Sequence, residues 1–175
     1  ILKIKESQVN FFSGNYQSTG DSLIQILKEL PKNDYRYNDL LDVQSIVLAF
    51  NKKMDQYITF TQVQLLIRQN KRIQALELLA KENNLKDDFI TDIFYYQSAY
   101  IHIIQENYEL ATQNLNSVTE NSIFSEMAMI LHAEMLDFLL MDIRGAVDIY
   151  LKFLENYPMS IYYDDIRIRL RELAS

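Results

Sequence analysis

Residues 145–158 decide the fold, and they read Gly-Ala-Val-Asp-Ile-Tyr-Leu-Lys-Phe-Leu-Glu-Asn-Tyr-Pro. The stretch has a small residue, Ala146, an aromatic residue four positions later, Tyr150, and a proline twelve positions after the alanine. A small residue lets two helices approach closely, while large side chains such as Tyr150 and Phe153 fill the space between helix pairs. Pro158 has no amide hydrogen and cannot continue a helix. The stretch therefore predicts the second helix of an antiparallel helix pair.

The same spacing recurs upstream. Ala75 and Ala111 each precede a leucine by four positions, so the three alanines stand 36 and 35 residues apart. Helix pairs repeating about every 34 residues, with this small residue and a closing proline, are typical of tetratricopeptide repeats (TPRs), and the chain resembles that family. A weaker match begins at Gly14, has Thr19 in the small position and ends at Pro31.

The resemblance implies an all-α fold, a right-handed superhelical array of antiparallel helix hairpins with a C-terminal capping helix. Thr19 and Ala75 are 56 residues apart, which is too long for one period and too short for two, so an irregular helical insert is expected between them. We predict a single domain over residues 1–175. Its segments are repeats 1–33, 56–89, 92–125 and 127–158, the insert 34–55 and the cap 159–175.

Composition and apolar periodicity predict helices throughout. The chain has only three Gly and two Pro, fewer turn residues than a β-rich chain of 175 residues needs. Ser160 follows Pro158 and is predicted to cap the last helix. The expected helices are 2–13, 16–30, 36–52, 55–69, 72–83, 87–105, 108–119, 123–141, 143–157 and 160–173.

Charge and residue usage exclude several classes of protein. The net charge is −7, and residues 61–175 carry all of it, with ten Lys/Arg and seventeen Asp/Glu. An acidic chain without a basic stripe is a poor nucleic-acid binder. There is no cysteine, so neither disulfides nor thiolate metal sites are expected. No apolar run is long enough to predict a membrane span. The chain begins at Ile1 rather than Met, so we expect it to be a piece of a longer protein.

The candidate residues for chemistry do not form a recognisable active site. His102 and His132 lie in different predicted hairpins, without the close spacing that metal ligands usually show. Asp87 and Asp88, like Asp164 and Asp165, are neighbours on a helix, and neighbouring side chains point about 100° apart. No phosphate-binding loop or nucleophile motif is present. We therefore predict no enzyme activity, no metal and no cofactor.

Twelve Tyr and nine Phe are the unusual feature of the chain. In the family that it resembles, the first helix of each hairpin lines a concave groove, so the resemblance implies a scaffold that binds a protein or peptide segment there. The Lys/Asn/Arg set with which chaperone-binding members hold a carboxylate is missing. The alternative is a structural assembly module whose groove is filled by its own neighbours, with the aromatic residues in the core. The predicted groove residues are Tyr57, Phe60, Gln64, Tyr96, Tyr100, Ile103, Met135 and Phe138.

A narrower resemblance concerns location. Residues 153–162 are similar to repeats of bacterial envelope proteins, namely the outer-membrane barrel-assembly lipoprotein and the periplasmic coordinator of the Tol–Pal system. This similarity points to the periplasm or cell envelope of a bacterium, with the cytoplasm as the alternative.

Overall fold

The computed structural model describes residues 2–82, 88–120, 122 and 124–174. Within these ranges every regular element is a helix, which confirms the all-helical prediction. The elements are α1 Leu2–Phe12, α2 Tyr16–Glu29, α3 Tyr37–Ala49, α4 Met54–Arg68, α5 Arg72–Glu82, α6 Asp88–Ile104, α7 Tyr108–Asn116, α8 Ser125–Glu134, a π-helix Met135–Leu139, α9 Ile143–Asn156 and α10 Tyr163–Leu173.

Chain contacts divide the protein into two compact units, Ile1–Leu85 and Lys86–Ser175. In the first unit α1 packs on α2, α2 on α3 and α4 on α5, and α1 also contacts α4. In the second unit α6 packs on α7, α8 on α9 and α9 on α10. Neighbouring helices thus pack in succession within each unit, and the single domain over 1–175 stays a prediction.

The turns of four hairpins have the same backbone geometry. In each turn a residue with positive φ, between 54° and 71°, stands five positions before a buried small residue. The left-handed residue ends the first helix, and the second helix then begins with its small residue facing the first. Each of the three ladder alanines is buried, at 0% exposed. The pairs are Gly14 and Thr19, Asn70 and Ala75, Glu106 and Ala111, and Met141 and Ala146.

Side chains from three helices form one core cluster of the second unit. Ala146, Tyr150 and Phe153 of α9 are buried together with Ala133 of α8 and Ile166 of α10. Tyr150 and Phe153 therefore fill the space between neighbouring helices, as the sequence predicted.

Two local predictions are wrong. The predicted helix 123–141 changes hydrogen-bond pattern after Glu134, where the π-helix begins and the backbone is wound more loosely. The predicted cap at Ser160 is not formed either, because α10 begins at Tyr163 and its start has no side-chain cap. The Ser160 hydroxyl instead bonds Glu126 of α8, so a contact distant in sequence overrides the local preference. The remaining helix ends lie within three residues of prediction, and the predicted ends at 83, 87 and 123 lie outside the described residues.

Candidate functional site

The groove residues predicted in the first unit lie mostly in its core. Tyr57 is 0% and Phe60 is 6% exposed, and Gln64 is half-buried. The Tyr57 ring meets the rings of Tyr16 and Phe50 edge-on, at 5.3 and 5.8 Å between centroids. These side chains hold α4 against its neighbours, so Tyr57 and Phe60 offer no surface to a partner.

The residues predicted in the second unit have a different environment. Tyr100 and Phe138 are 45% and 52% exposed, while Tyr96 and Ile103 are half-buried. Met135 is buried, at 1% exposed. The second unit therefore keeps two of its predicted aromatic side chains at the surface.

Tyr96 connects these side chains to two residues that the prediction did not include. Its ring packs on the apolar cluster of α6, α7 and α8, with the Phe124 ring 5.6 Å away. Burial raises the pKa of the Tyr96 phenol, and the Glu134 carboxylate raises it further, with additional effects from Tyr100 and Tyr162. Tyr100 follows Tyr96 by four residues on α6, so these two side chains lie on the same face of that helix. We take five residues of the second unit as the candidate site and call them the acidic aromatic face: Tyr96, Tyr100, Glu134, Phe138 and Tyr162.

Tyr162 is held in place by hydrogen bonds to the start of α8. Its backbone N–H donates to the Ser160 hydroxyl at 3.0 Å, and that hydroxyl donates to the Glu126 carboxylate. Tyr157 adds a second link, since its hydroxyl bonds Ser125 at 2.7 Å. The loop before α10 is thereby fixed against α8, and the Tyr162 ring remains 42% exposed.

A buried carboxylate lies behind the face. Asp137 in the π-helix has a fully buried side chain and receives two hydrogen bonds from the Arg169 guanidinium, at 2.7 and 2.8 Å. These bonds hold the pKa of Asp137 below its usual value. The Tyr150 hydroxyl donates a third bond at 3.3 Å. The same guanidinium lies over the Phe138 ring, 4.8 Å from its centroid. The charge of Asp137 is therefore neutralised inside the protein.

Glu134 has no such neutralisation. Burial and the nearby Asp137 charge raise its pKa. Its carboxylate makes no hydrogen bond and no ion pair with another side chain in the described part of the chain. The residue is exposed, and its charge contributes to the raised pKa of Tyr96.

A run of four exposed apolar residues begins at Phe138. Residues 138–141, Phe-Leu-Leu-Met, are 52%, 49%, 42% and 71% exposed. Four consecutive exposed apolar side chains are unusual on a folded surface unless they serve an interaction.

The structure gives the histidines no common site. Burial lowers the pKa of both His102 in α6 and His132 in α8. Among the described residues, no group of three or more His, Cys, Asp or Glu side chains is placed to hold a metal ion. None of the helices in the described ranges is both long and apolar enough to cross a membrane.

Comparison with protein-family models, with curated proteins and with solved structures finds no match to this chain. The function is therefore inferred from the chemistry of the acidic aromatic face.

Proposed function

We propose that the protein is a non-catalytic interaction module that binds a segment of a partner protein on the acidic aromatic face of its second unit. One observation carries the proposal. The side chains of Tyr100, Phe138 and Tyr162 are 42–52% exposed on a unit that also carries the half-buried Tyr96 and the exposed carboxylate of Glu134. Aromatic side chains of this kind often contribute most of the binding energy of an interface, because a small number of rings bury a large area.

We infer further that the hairpins are TPR-like repeats and that they build a right-handed superhelical array. Two observations support this arrangement. The alanine ladder has steps of 36 and 35 residues, close to the family period. The positive-φ turn precedes the buried small residue by the same five positions in four hairpins. In such repeats the first helix of each pair, here α6 and α8, supplies the binding surface.

The two units support different roles. In the first unit the predicted groove positions Tyr57 and Phe60 are filled by the unit's own side chains. This burial favours the alternative function, a structural assembly module, for that unit. Exposed rings favour partner binding for the second unit.

Selection from a random peptide library displayed on phage tests the proposal. Peptides enriched on the wild-type protein should lose binding to the Tyr100→Ala and Phe138→Ala variants. Each loss should be roughly tenfold, as expected for a central aromatic contact. Leu151→Ala is the matched control, because Leu151 is 49% exposed on α9 and is not part of the face. If no peptide is enriched, or if the enriched peptides bind both aromatic variants as tightly as wild type, the proposal is wrong.

A further inference from the structure

We propose that a cavity of the second unit, lined by residues of α7, α8 and α9, binds a free α-amino acid with an apolar side chain. The cavity shares no residue with the acidic aromatic face, so this site is separate from the function proposed above. Three observations support it: the apolar floor of the cavity, the two opposite charges at its mouth and the negative charge of the surrounding unit.

The interior of the cavity is small and apolar. Its volume is about 210 Å³, below the roughly 300–1,000 Å³ of pockets that hold drug-sized ligands, so it suits a smaller molecule. Leu115 of α7 and Ala128 of α8 line the cavity and are buried, so they form its floor. The half-buried Val118 and Met129 form its walls. An apolar side chain of the ligand would lose contact with water against these groups.

The hydroxyl groups at the base of the cavity are already paired with each other and with the backbone. The Ser125 hydroxyl donates to the Ser122 carbonyl oxygen at 2.7 Å and accepts a bond of 2.7 Å from the Tyr157 hydroxyl. Both hydroxyl hydrogens are therefore used within the protein. A ligand would place its polar groups at the mouth rather than at the base.

Two exposed residues of opposite charge stand at the mouth. Lys152 lies on α9, whereas Glu120 lies in the connection between α7 and α8. Neither side chain makes an ion pair or a hydrogen bond with a described residue. Asn156 also lines the cavity and follows Lys152 by four residues, so both lie on the same face of α9. The carboxylate of an amino acid can bond Lys152 and Asn156 while its ammonium group bonds Glu120.

A neutral imidazole completes the lining. His132 follows Ala128 by four residues, so both side chains lie on the face of α8 that borders the cavity. No described residue is hydrogen-bonded to the His132 ring. Burial lowers the pKa of this ring, which is therefore neutral at pH 7 and has one donor and one acceptor nitrogen. It can bond a polar group of the ligand without adding charge.

The charge of the unit favours a zwitterion over a simple carboxylic acid. Residues 86–175 contain six Lys/Arg and fifteen Asp/Glu, a net charge of −9, whereas residues 1–85 contain eleven and nine, a net charge of +2. A molecule with a carboxylate alone would be repelled by the second unit. An amino acid has no net charge, so it can reach Lys152 without this penalty.

Nuclear magnetic resonance of the imidazole rings tests the proposal with L-leucine as the probe. The chain has two histidines, and His102 does not line the cavity, so its signals are the internal control. The His132 signals should shift saturably with L-leucine. L-leucinamide, which lacks the carboxylate, and isocaproate, which lacks the ammonium group, should each bind roughly tenfold more weakly. If the His132 signals do not move, or if those of His102 move equally, the proposal is wrong.

Variants that remove one charge test the two polar ends of the ligand separately. Lys152→Gln should weaken L-leucine binding roughly tenfold. Arg144→Gln is the matched control, because it removes an exposed cation from the same helix outside the cavity. Glu120→Gln should weaken the binding of L-leucine but not that of isocaproate. Equal losses on Lys152→Gln and Arg144→Gln would reduce the effect to net charge and overturn the proposal. So would equally tight binding of the tripeptide glycyl-glycyl-leucine, whose ammonium group is distant from its carboxylate.

Discussion

Tyr57 and Tyr100 show how environment, rather than residue type, separates core from surface. Both were predicted to line the same groove. Tyr57 is 0% exposed, and its hydroxyl donates a hydrogen bond to Thr19 at 3.1 Å. Tyr100 is 45% exposed. Truncating the first side chain leaves a cavity, whereas truncating the second mainly exposes a surface that water already reaches.

We therefore expect Tyr57→Ala to lower the free energy of unfolding by about 3–5 kcal/mol and Tyr100→Ala by less than about 1 kcal/mol. Urea unfolding followed by circular dichroism measures both values. A loss of several kcal/mol in Tyr100→Ala would assign its side chain to the core and remove it from the proposed binding face.

Ala146 provides a second test at the scale of a residue. It is 0% exposed where α9 packs on α8, and it is surrounded by Ala133, Tyr150 and Phe153. Ala146→Leu would overpack this contact, and we expect a loss of about 1–3 kcal/mol in unfolding free energy. Ala80→Leu is the control, because Ala80 is an exposed alanine on α5 and the change should be nearly neutral there. An unchanged unfolding midpoint in Ala146→Leu would contradict the packing.

At the scale of elements, local signals in the sequence were sufficient for the helices. Apolar spacing, Pro158 and the small alanines are properties of short segments, and each predicted helix has a counterpart in the structure, although 123–141 is divided into α8 and the π-helix. The π-helix could not be foreseen in this way. The π-helix places Asp137 next to Arg169, which follows 32 residues later in the chain. The residues that surround Asp137 in the sequence do not indicate this partner.

The sequence predicted only part of the proposed binding face. The repeat register predicted that Tyr96 and Tyr100 lie on one face of the first helix of a pair, because side chains four residues apart in a helix lie on the same face. Tyr162 was not among the predicted groove residues, and it lies in a loop that the bond between Ser160 and Glu126 fixes to α8. Such bonds link residues far apart in sequence, so periodicity does not reveal them.

The contact between the π-helix and α10 predicts a dependence of stability on pH. Hydrogen bonds from Arg169 lower the pKa of Asp137 in the folded protein. A carboxyl group with a lowered folded pKa stabilises the fold above its unfolded pKa, about 3.9, and loses this effect as pH falls through its folded value. We expect Asp137→Asn to lower the unfolding free energy by about 2–3 kcal/mol at pH 7, and the gap to wild type to shrink below pH 4.

Asp164→Asn is the control for this pH profile. Asp164 pairs with Arg167 on the same helix α10, but both side chains are at least half exposed, so the change should cost less than about 1 kcal/mol. Urea unfolding of the three proteins between pH 3 and pH 7 measures the effect. A gap between wild type and Asp137→Asn that stays constant across this range would contradict the assignment.

At the scale of the whole molecule, the uneven charge is the main feature. The sequence showed that residues 61–175 carry the negative excess, and the structure moves the dividing line to the boundary between the two units. The contrast is then sharper, with net charges of −9 and +2. Repulsion among like charges destabilises a compact unit, and salt screens it over distances of about 10 Å.

The last prediction follows from this contrast. Raising NaCl from about 20 mM to about 500 mM should screen the repulsion in the second unit and leave the nearly balanced first unit almost unchanged. Hydrogen exchange read by mass spectrometry separates the two, because it reports local opening segment by segment. We expect slower exchange at high salt in α8 and α9, with little change in α2 and α4. The first unit is the internal control, since it is measured in the same sample and feels the same general effects of salt. Equal changes in both units, or faster exchange in α8 and α9, would contradict the prediction that excess negative charge destabilises the second unit.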